Sequence, residues 1–145
     1  MERSVLHALD IAAEPATVFQ AITTHDGEAG FWTSNNDLEP TVGSTARFGF
    51  PGAHVDAKMR IDALDPDKQV GWTSLGDFPY WTGTTITWEL ATGPEGAGTR
   101  LLFRHAGWPD DYPEQEFASV NFVWGQVLAR LKGYCETGRP QPFFG

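Results

Sequence analysis

His105 is the residue whose type and position in this sequence best suit chemistry. It follows Leu101 and Phe103 at two-residue spacing, so the three side chains share one face of a predicted strand. We expect that face to point inward, where a neutral imidazole can act as an acid or a base or can hydrogen-bond to a bound molecule. The alternative is a structural histidine whose ring bonds to a nearby backbone group. The sequence leaves both roles open.

The other reactive side chains do not complete a catalytic or metal site. His7, His25 and His54 have no histidine or cysteine partner at a metal-ligand spacing, so we expect neither a metal nor a cofactor. Cys135 falls near the end of a predicted helix with no base beside it, which suits inert packing better than nucleophilic attack. An enzyme needs at least two converging polar groups, and the sequence supplies His105 alone.

Aromatic residues are unusually frequent, with six Trp and ten Phe in 145 residues. They either line a cavity for a small hydrophobic or aromatic molecule or fill the core, and the sequence leaves both alternatives open. The residues predicted to face such a cavity are Phe48, Phe50, Met59, Trp72, Trp88, Phe103, His105 and Trp124.

Charge and composition exclude several classes of partner. The net charge of −9 argues against nucleic acid and against an anionic membrane surface. The first residues lack the apolar core of a signal peptide, and no run of about 18 apolar residues is present. We therefore expect a cytoplasmic protein in which residues 1–145 form one domain.

Residue periodicity predicts the elements that must position these side chains. Apolar and polar residues alternate over 55–61 and 84–90, which predicts strands with one solvent-exposed face. Further strands are predicted at 4–11, from Thr45, from Val70 and at 99–105, giving about six. Two short helices are predicted after the first strand, the first opening at Pro15 and the second running through 27–32.

A long C-terminal helix is predicted from an apolar stripe between Phe117 and Tyr134. Gly138 is placed for a left-handed helix end, and Pro140 follows it. Helices on one face of an antiparallel sheet define an α+β fold. The aromatic segment 77–83 joins two strands and is expected to form a flap over a pocket or a patch for a partner.

In the order of its motifs along the sequence, the chain resembles the START-like (SRPBCC) superfamily, and within it the homologues of the heat-shock-protein 90 ATPase activator. The resemblance covers nearly the whole chain. It is carried by the residues after the first strand, the end of the second helix, the last strand with the residues that follow it, and the final helix. These segments are Ala13–Thr23, Phe31–Trp32, Gly98–Leu101, Phe103–Trp108 and Trp124–Gly138.

The resemblance implies a helix-grip fold, in which a curved antiparallel sheet wraps around the C-terminal helix and leaves a cavity between them. It does not imply one activity, because members bind lipids or polyketides, catalyse cyclisations or regulate a chaperone. We rank a hydrophobic-ligand binder first, an acid–base enzyme using His105 second and a chaperone-regulating domain third. Exposed aromatic loops and a free edge strand are compatible with a homodimer.

Overall fold

Six strands and three main helices make up the fold in a computed structural model that describes residues 3–145. The strands are β1 (Val5–Ile11), β2 (Thr45–Phe48), β3 (Ala57–Asp65), β4 (Gln69–Leu75), β5 (Thr85–Thr92) and β6 (Thr99–Ala106). The helices are α1 (Pro15–Thr23), α2 (His25–Phe31) and α3 (Glu114–Thr137). Within the described part of the chain, none of the helices combines the length and the apolar character needed to cross a membrane.

The strands form one antiparallel sheet in the order β1-β6-β5-β4-β3-β2. Burial alternates along β5 and β6, because successive side chains point to opposite faces of the sheet. Trp88 of β5 lies opposite Val70 on one neighbouring strand and Phe103 on the other, and all three are buried. The predicted α+β helix-grip fold with a curved antiparallel sheet is confirmed.

Phe50 and Val55 were predicted to lie in strands, and the structure places both in loops. β2 ends at Phe48, so Phe50 lies beyond the strand. Pro51 has no backbone N–H to donate to a ladder, and Gly52 has a φ of +81°, so the chain turns there instead of continuing the pairing. β3 begins at Ala57, and Val55 is 38% exposed in the preceding loop.

The two short helices meet at a close backbone contact. α2 begins at His25, two residues earlier than predicted, because the Thr24 hydroxyl accepts a hydrogen bond from the Gly27 N–H at 3.0 Å. A Cβ on Gly27 would lie 2.2 Å from the carbonyl oxygen of Ala21 in α1. Only glycine allows the two helices to approach this closely.

The long helix α3 packs against the inner face of the sheet through the predicted stripe. Trp124, Val127, Leu128 and Leu131 are buried on its inner side. Gly138 ends the helix with a φ of +75° and donates its N–H to the Tyr134 carbonyl at 2.8 Å, as its position in the sequence predicts.

The chain after α3 returns across the end of α2 as a segment that we call the C-terminal strap (residues 141–144). Its backbone donates from Gln141 to the Gly30 carbonyl at 2.8 Å and from Phe144 to the Trp32 carbonyl at 2.7 Å. Arg130 of α3 donates to the Gln141 carbonyl at 3.0 Å. The strap is therefore held both to α2 and to α3.

Candidate functional site

A groove of about 600 Å³ opens at one end of the sheet, where β2, β4 and β6 all end. We call it the aromatic groove. One wall is the N-terminal half of α3, and the others come from the loop after β2, the β4–β5 loop, the chain just before α3 and the strap. Its lining residues are Trp32, Phe50, Ala53, Phe78, Pro79, Tyr80, Trp81, Tyr112, Gln115, Glu116, Ser119, Val120, Val123, Trp124, Val127 and Phe144.

Half of the lining residues are aromatic, and their rings touch one another around the groove. The ring centroid of Phe50 lies 5.7 Å from that of Phe78 and 5.0 Å from that of Phe144. Tyr80 and Tyr112 lie 4.8 Å apart at the other end. Aromatic rings therefore make up half of the lining residues, which is typical of a site for apolar molecules.

The polar side chains of the lining cluster on one turn of α3. Gln115, Glu116 and Ser119 are spaced so that they share a helix face, and all three are exposed. The Tyr112 hydroxyl donates to the Glu116 carbonyl at 3.5 Å. Burial raises the pKa of Tyr112, and the nearby Glu116 carboxylate raises it further. The groove thus has one polar edge and otherwise apolar walls.

The structure separates the predicted site residues into two groups. Phe50 and Trp124 line the aromatic groove. The others are fully buried and do not line it: Phe48, Met59, Trp72, Trp88, Phe103 and His105. The rings among them pack on each other, with the centroid of Trp72 5.5 Å from that of Phe48 and that of Trp88 4.8 Å from that of Phe103. A ligand-contacting role for this second group stays a prediction.

His105 is held by two side chains inside the core. Its Nε2 lies 2.8 Å from the Thr84 hydroxyl, which itself donates to the Trp81 carbonyl. The indole N–H of Trp124 donates to His105 Nδ1 at 3.2 Å. Nε2 must therefore carry the proton and Nδ1 must be the acceptor. Burial lowers the pKa of His105 well below its usual range, so the ring is neutral.

The sequence prediction of His105 as a structural residue named a backbone partner, and the structure supplies side chains instead. Both ring nitrogens are engaged, and no atom of the ring lines the groove. Acid–base chemistry at His105 would need a substrate inside the core, so we do not carry it into a functional proposal.

Several groove residues were missed by sequence reasoning. The aromatic segment 77–83 was singled out, and four of its residues line the groove. Trp32, Tyr112 and Phe144 were not assigned to a site. The signal for Phe144 was an apolar pair, Phe143–Phe144, in an otherwise polar tail. Tyr112 offered none, because its position depends on how the chain enters α3.

The reactive groups outside the groove do not assemble into a second site. Among residues 3–145, no group of three or more His, Cys, Asp or Glu side chains is arranged to hold a metal ion. Burial, with a contribution from Glu136, raises the pKa of Cys135 to about 12, so the thiol stays protonated. The absence of a metal and of a cofactor remains a prediction.

Comparison with known proteins places this architecture in a family. A family model described as "Activator of Hsp90 ATPase homolog 1-like protein" matches residues 12–136. A search of curated proteins finds no match.

Solved structures share the same fold over most of the chain. The solution structure of the Aha1 dimer from Colwellia psychrerythraea is 32% identical and has a TM-score of 0.82, with 94% of this chain and 98% of that chain covered. The protein MLL2253 from Mesorhizobium loti is 21% identical with a TM-score of 0.76, covering 90% of this chain and 95% of its own. DynU16, from the dynemicin biosynthetic locus, is 25% identical with a TM-score of 0.77, covering 97% of this chain and 49% of its own. This chain therefore belongs to the activator of Hsp90 ATPase homolog 1-like family.

Proposed function

We propose that this protein binds a small hydrophobic or aromatic molecule in the aromatic groove. The observation that carries the proposal is the groove itself, about 600 Å³ in volume and bordered by eight aromatic side chains. Apolar surface left in water costs about 25 cal/mol per Å², so a guest that covers the rings gains free energy without any change in the fold. The volume lies within the range of about 300–1,000 Å³ that is usual for small-molecule sites.

Relatives in fold are compatible with this role. DynU16 is described as a protein in the dynemicin biosynthetic locus. The walls of the groove are built from loops and from the strap, which are elements that differ most readily between members of one fold. Ligand identity is therefore expected to follow from the loop residues of this chain.

The test is isothermal titration with 1-naphthalenemethanol, a neutral aromatic probe. Ser119→Trp places a large ring in the groove, and Ala118→Trp places the same ring on the adjacent exposed residue that does not line it. We expect Ser119→Trp to weaken binding about tenfold or more and Ala118→Trp to leave Kd within about twofold. No binding by the wild type at millimolar probe, or equal binding by both variants, would contradict the proposal.

Regulation of a chaperone is the second candidate, favoured by the family match and by the 32% identity to an Aha1 structure. We expect that adding this protein to an Hsp90-class ATPase from the same cell raises the rate of ATP hydrolysis. If the two roles are independent, Ser119→Trp keeps this effect while it blocks the groove. An unchanged ATPase rate over a wide range of protein concentrations would remove this candidate.

A homodimer is a further proposal, because the Colwellia psychrerythraea relative is a dimer. Light scattering after size-exclusion chromatography is expected to give twice the 16.0 kDa mass of one chain. A mass of one chain at all concentrations would argue against it. The cytoplasmic location and the single domain over residues 1–145 stay predictions from the sequence.

A further inference from the structure

We propose that the aromatic groove selects positively charged aromatic molecules over neutral and anionic ones, and that Glu116 determines this selectivity. The inference rests on the proposed function, because it names the class of molecule that the same groove takes. It follows from the charges, the ring faces and the position of the polar edge.

The lining of the groove carries charge of one sign. Glu116 is the one charged residue of the lining in the described part of the chain, and no lysine, arginine or histidine accompanies it there. The nearby cation Arg3 is already engaged: its Nη2 donates to the Tyr112 carbonyl at 2.8 Å and to the Pro109 carbonyl at 3.2 Å. Its guanidinium lies 5.1 Å from the ring centroid of Phe117 and 5.9 Å from that of Tyr112, outside the lining itself. A bound carboxylate would therefore find no lysine, arginine or histidine in the lining, and it would face the carboxylate of Glu116.

The rings favour the same sign of charge. An aromatic face carries negative potential and attracts cations, most strongly for tryptophan and tyrosine. Five of the eight lining rings are of these two types: Trp32, Tyr80, Trp81, Tyr112 and Trp124. Groups of such rings are the arrangement by which proteins bind organic ammonium groups, and here a carboxylate lies in the same lining.

The position of the polar edge sets the orientation of the guest. Gln115, Glu116 and Ser119 lie on one turn of α3, while Phe50, Phe78 and Phe144 come from the other walls and contact one another. An aromatic body packs among the phenylalanines, and an ammonium group at its end reaches the exposed turn of α3, where it stays partly hydrated. The charge of Glu116 acts at this place, since it contributes to the raised pKa of Tyr112.

The experiment compares three naphthalene probes of nearly equal size and different charge. They are 1-naphthylmethylammonium, 1-naphthalenemethanol and 1-naphthoate, titrated calorimetrically at pH 7.5 and low ionic strength. We expect the ammonium probe to bind about three- to fivefold more tightly than the alcohol, which is the upper part of the range for an exposed ion pair, and the naphthoate to bind most weakly.

Glu116→Gln is the test variant, and Glu114→Gln is the matched control. Both remove one negative charge from the first turns of α3, but Glu114 does not line the groove. We expect the preference for the ammonium probe over the alcohol to disappear in Glu116→Gln and to persist in Glu114→Gln. The Kd of the alcohol is expected to stay unchanged in Glu114→Gln, whose residue lies outside the lining. Thermal unfolding of both variants shows whether they fold like the wild type.

Three outcomes would each contradict a different part of the proposal. If the alcohol binds and the ammonium probe binds no better, the selectivity is wrong while the proposed function stands. If both variants lower the preference equally, the net charge of the chain causes it and Glu116 has no special role. If none of the three probes binds, the proposed function itself fails.

Discussion

The imidazole of His105 is part of a chain of hydrogen bonds in which both ring nitrogens are paired. The Trp124 indole donates to Nδ1, Nε2 donates to the Thr84 hydroxyl, and that hydroxyl donates to the Trp81 carbonyl. Three segments of the fold meet in this chain: α3, β6 and the end of the β4–β5 loop. Leaving a donor or acceptor of such a buried network without a partner lowers the free energy of unfolding.

We therefore predict that His105→Phe destabilises the protein without changing the groove. The Trp124 N–H loses its acceptor inside the core, and a buried unsatisfied donor costs about 1–3 kcal/mol. Urea unfolding measures this loss, with His7→Phe, on the half-buried side chain of an edge strand, as the control. The Kd for 1-naphthalenemethanol is expected to stay within about twofold. A changed Kd with unchanged stability would restore His105 to the site.

The same ring gives stability a pH dependence of known sign. The pKa of His105 is well below 6.5 in the folded protein because the ring is buried, whereas the unfolded chain has the ordinary value of 6.5. As the pH falls below 6.5, the His105 imidazole binds a proton in the unfolded state but stays neutral in the folded state. The free energy of unfolding then decreases by up to about 1.4 kcal/mol per pH unit. We expect the difference in stability between wild type and His105→Phe to shrink between pH 7 and pH 5.

Glu28 makes the opposite contribution from helix α2. Its carboxyl is fully buried and has no hydrogen-bond partner among residues 3–145, and burial raises its pKa well above 4.5. As the pH rises above 4.5, the unfolded state releases a proton that the folded state retains. Stability is therefore lost with rising pH until the folded pKa is reached.

We predict that Glu28→Leu stabilises the protein at pH 7 by about 1–3 kcal/mol, since it removes a buried polar group that nothing satisfies. The gain is expected to be larger at pH 7 than at pH 4.5. Urea unfolding at the two pH values measures it, and Glu39→Leu on an exposed loop serves as the control. A loss of stability at pH 7 would mean that the carboxylate has a partner in solution.

At the scale of elements, Trp124 connects α3 to both the sheet and the short helices. The ring centroid of Trp124 lies 4.5 Å from that of Phe103 on the sheet and 5.0 Å from that of Trp32 after α2. The same residue forms part of the groove floor. It joins the helix, the sheet and the short helices at one point.

Trp124→Ala is predicted to cost about 3–5 kcal/mol, as large aromatic deletions in cores do. Phe122→Ala on the same helix removes a ring that is 60% exposed and is expected to stay within about 0.5 kcal/mol of wild type. Chemical denaturation of both variants provides the comparison. A loss below about 1 kcal/mol for Trp124→Ala would contradict the prediction and mean that the ring faces solvent or an empty cavity.

The elements were largely predictable because each depends on a local period. Alternation over 84–90 and the stripe of α3 correspond to the observed β5 and α3. The groove was not predictable in the same way. Alternation shows that Trp72 and Trp88 face inward, but whether neighbouring rings fill the space depends on packing between distant strands. The groove walls come from loops and from the strap, which have no period at all.

At the scale of the whole molecule, we predict that protein purified without a metal-affinity tag contains no stoichiometric zinc or iron. The histidines lie far apart in the sequence, and the described residues hold no group of three metal-binding side chains. Elemental analysis of the purified protein tests this. A metal that stays bound during dialysis against a chelator would contradict the prediction.

The six tryptophans form one connected set of rings through the molecule, and this arrangement determines the intrinsic fluorescence of the protein. Trp124 lies within 6.2 Å of three other indoles, and the remaining two each lie within 6.0 Å of one of those. At such separations, an excitation absorbed by one indole passes to its neighbours before it is emitted. The emission spectrum is therefore a property of the whole set, and a quencher that touches Trp32, Trp81 or Trp124 in the groove dims all six indoles together.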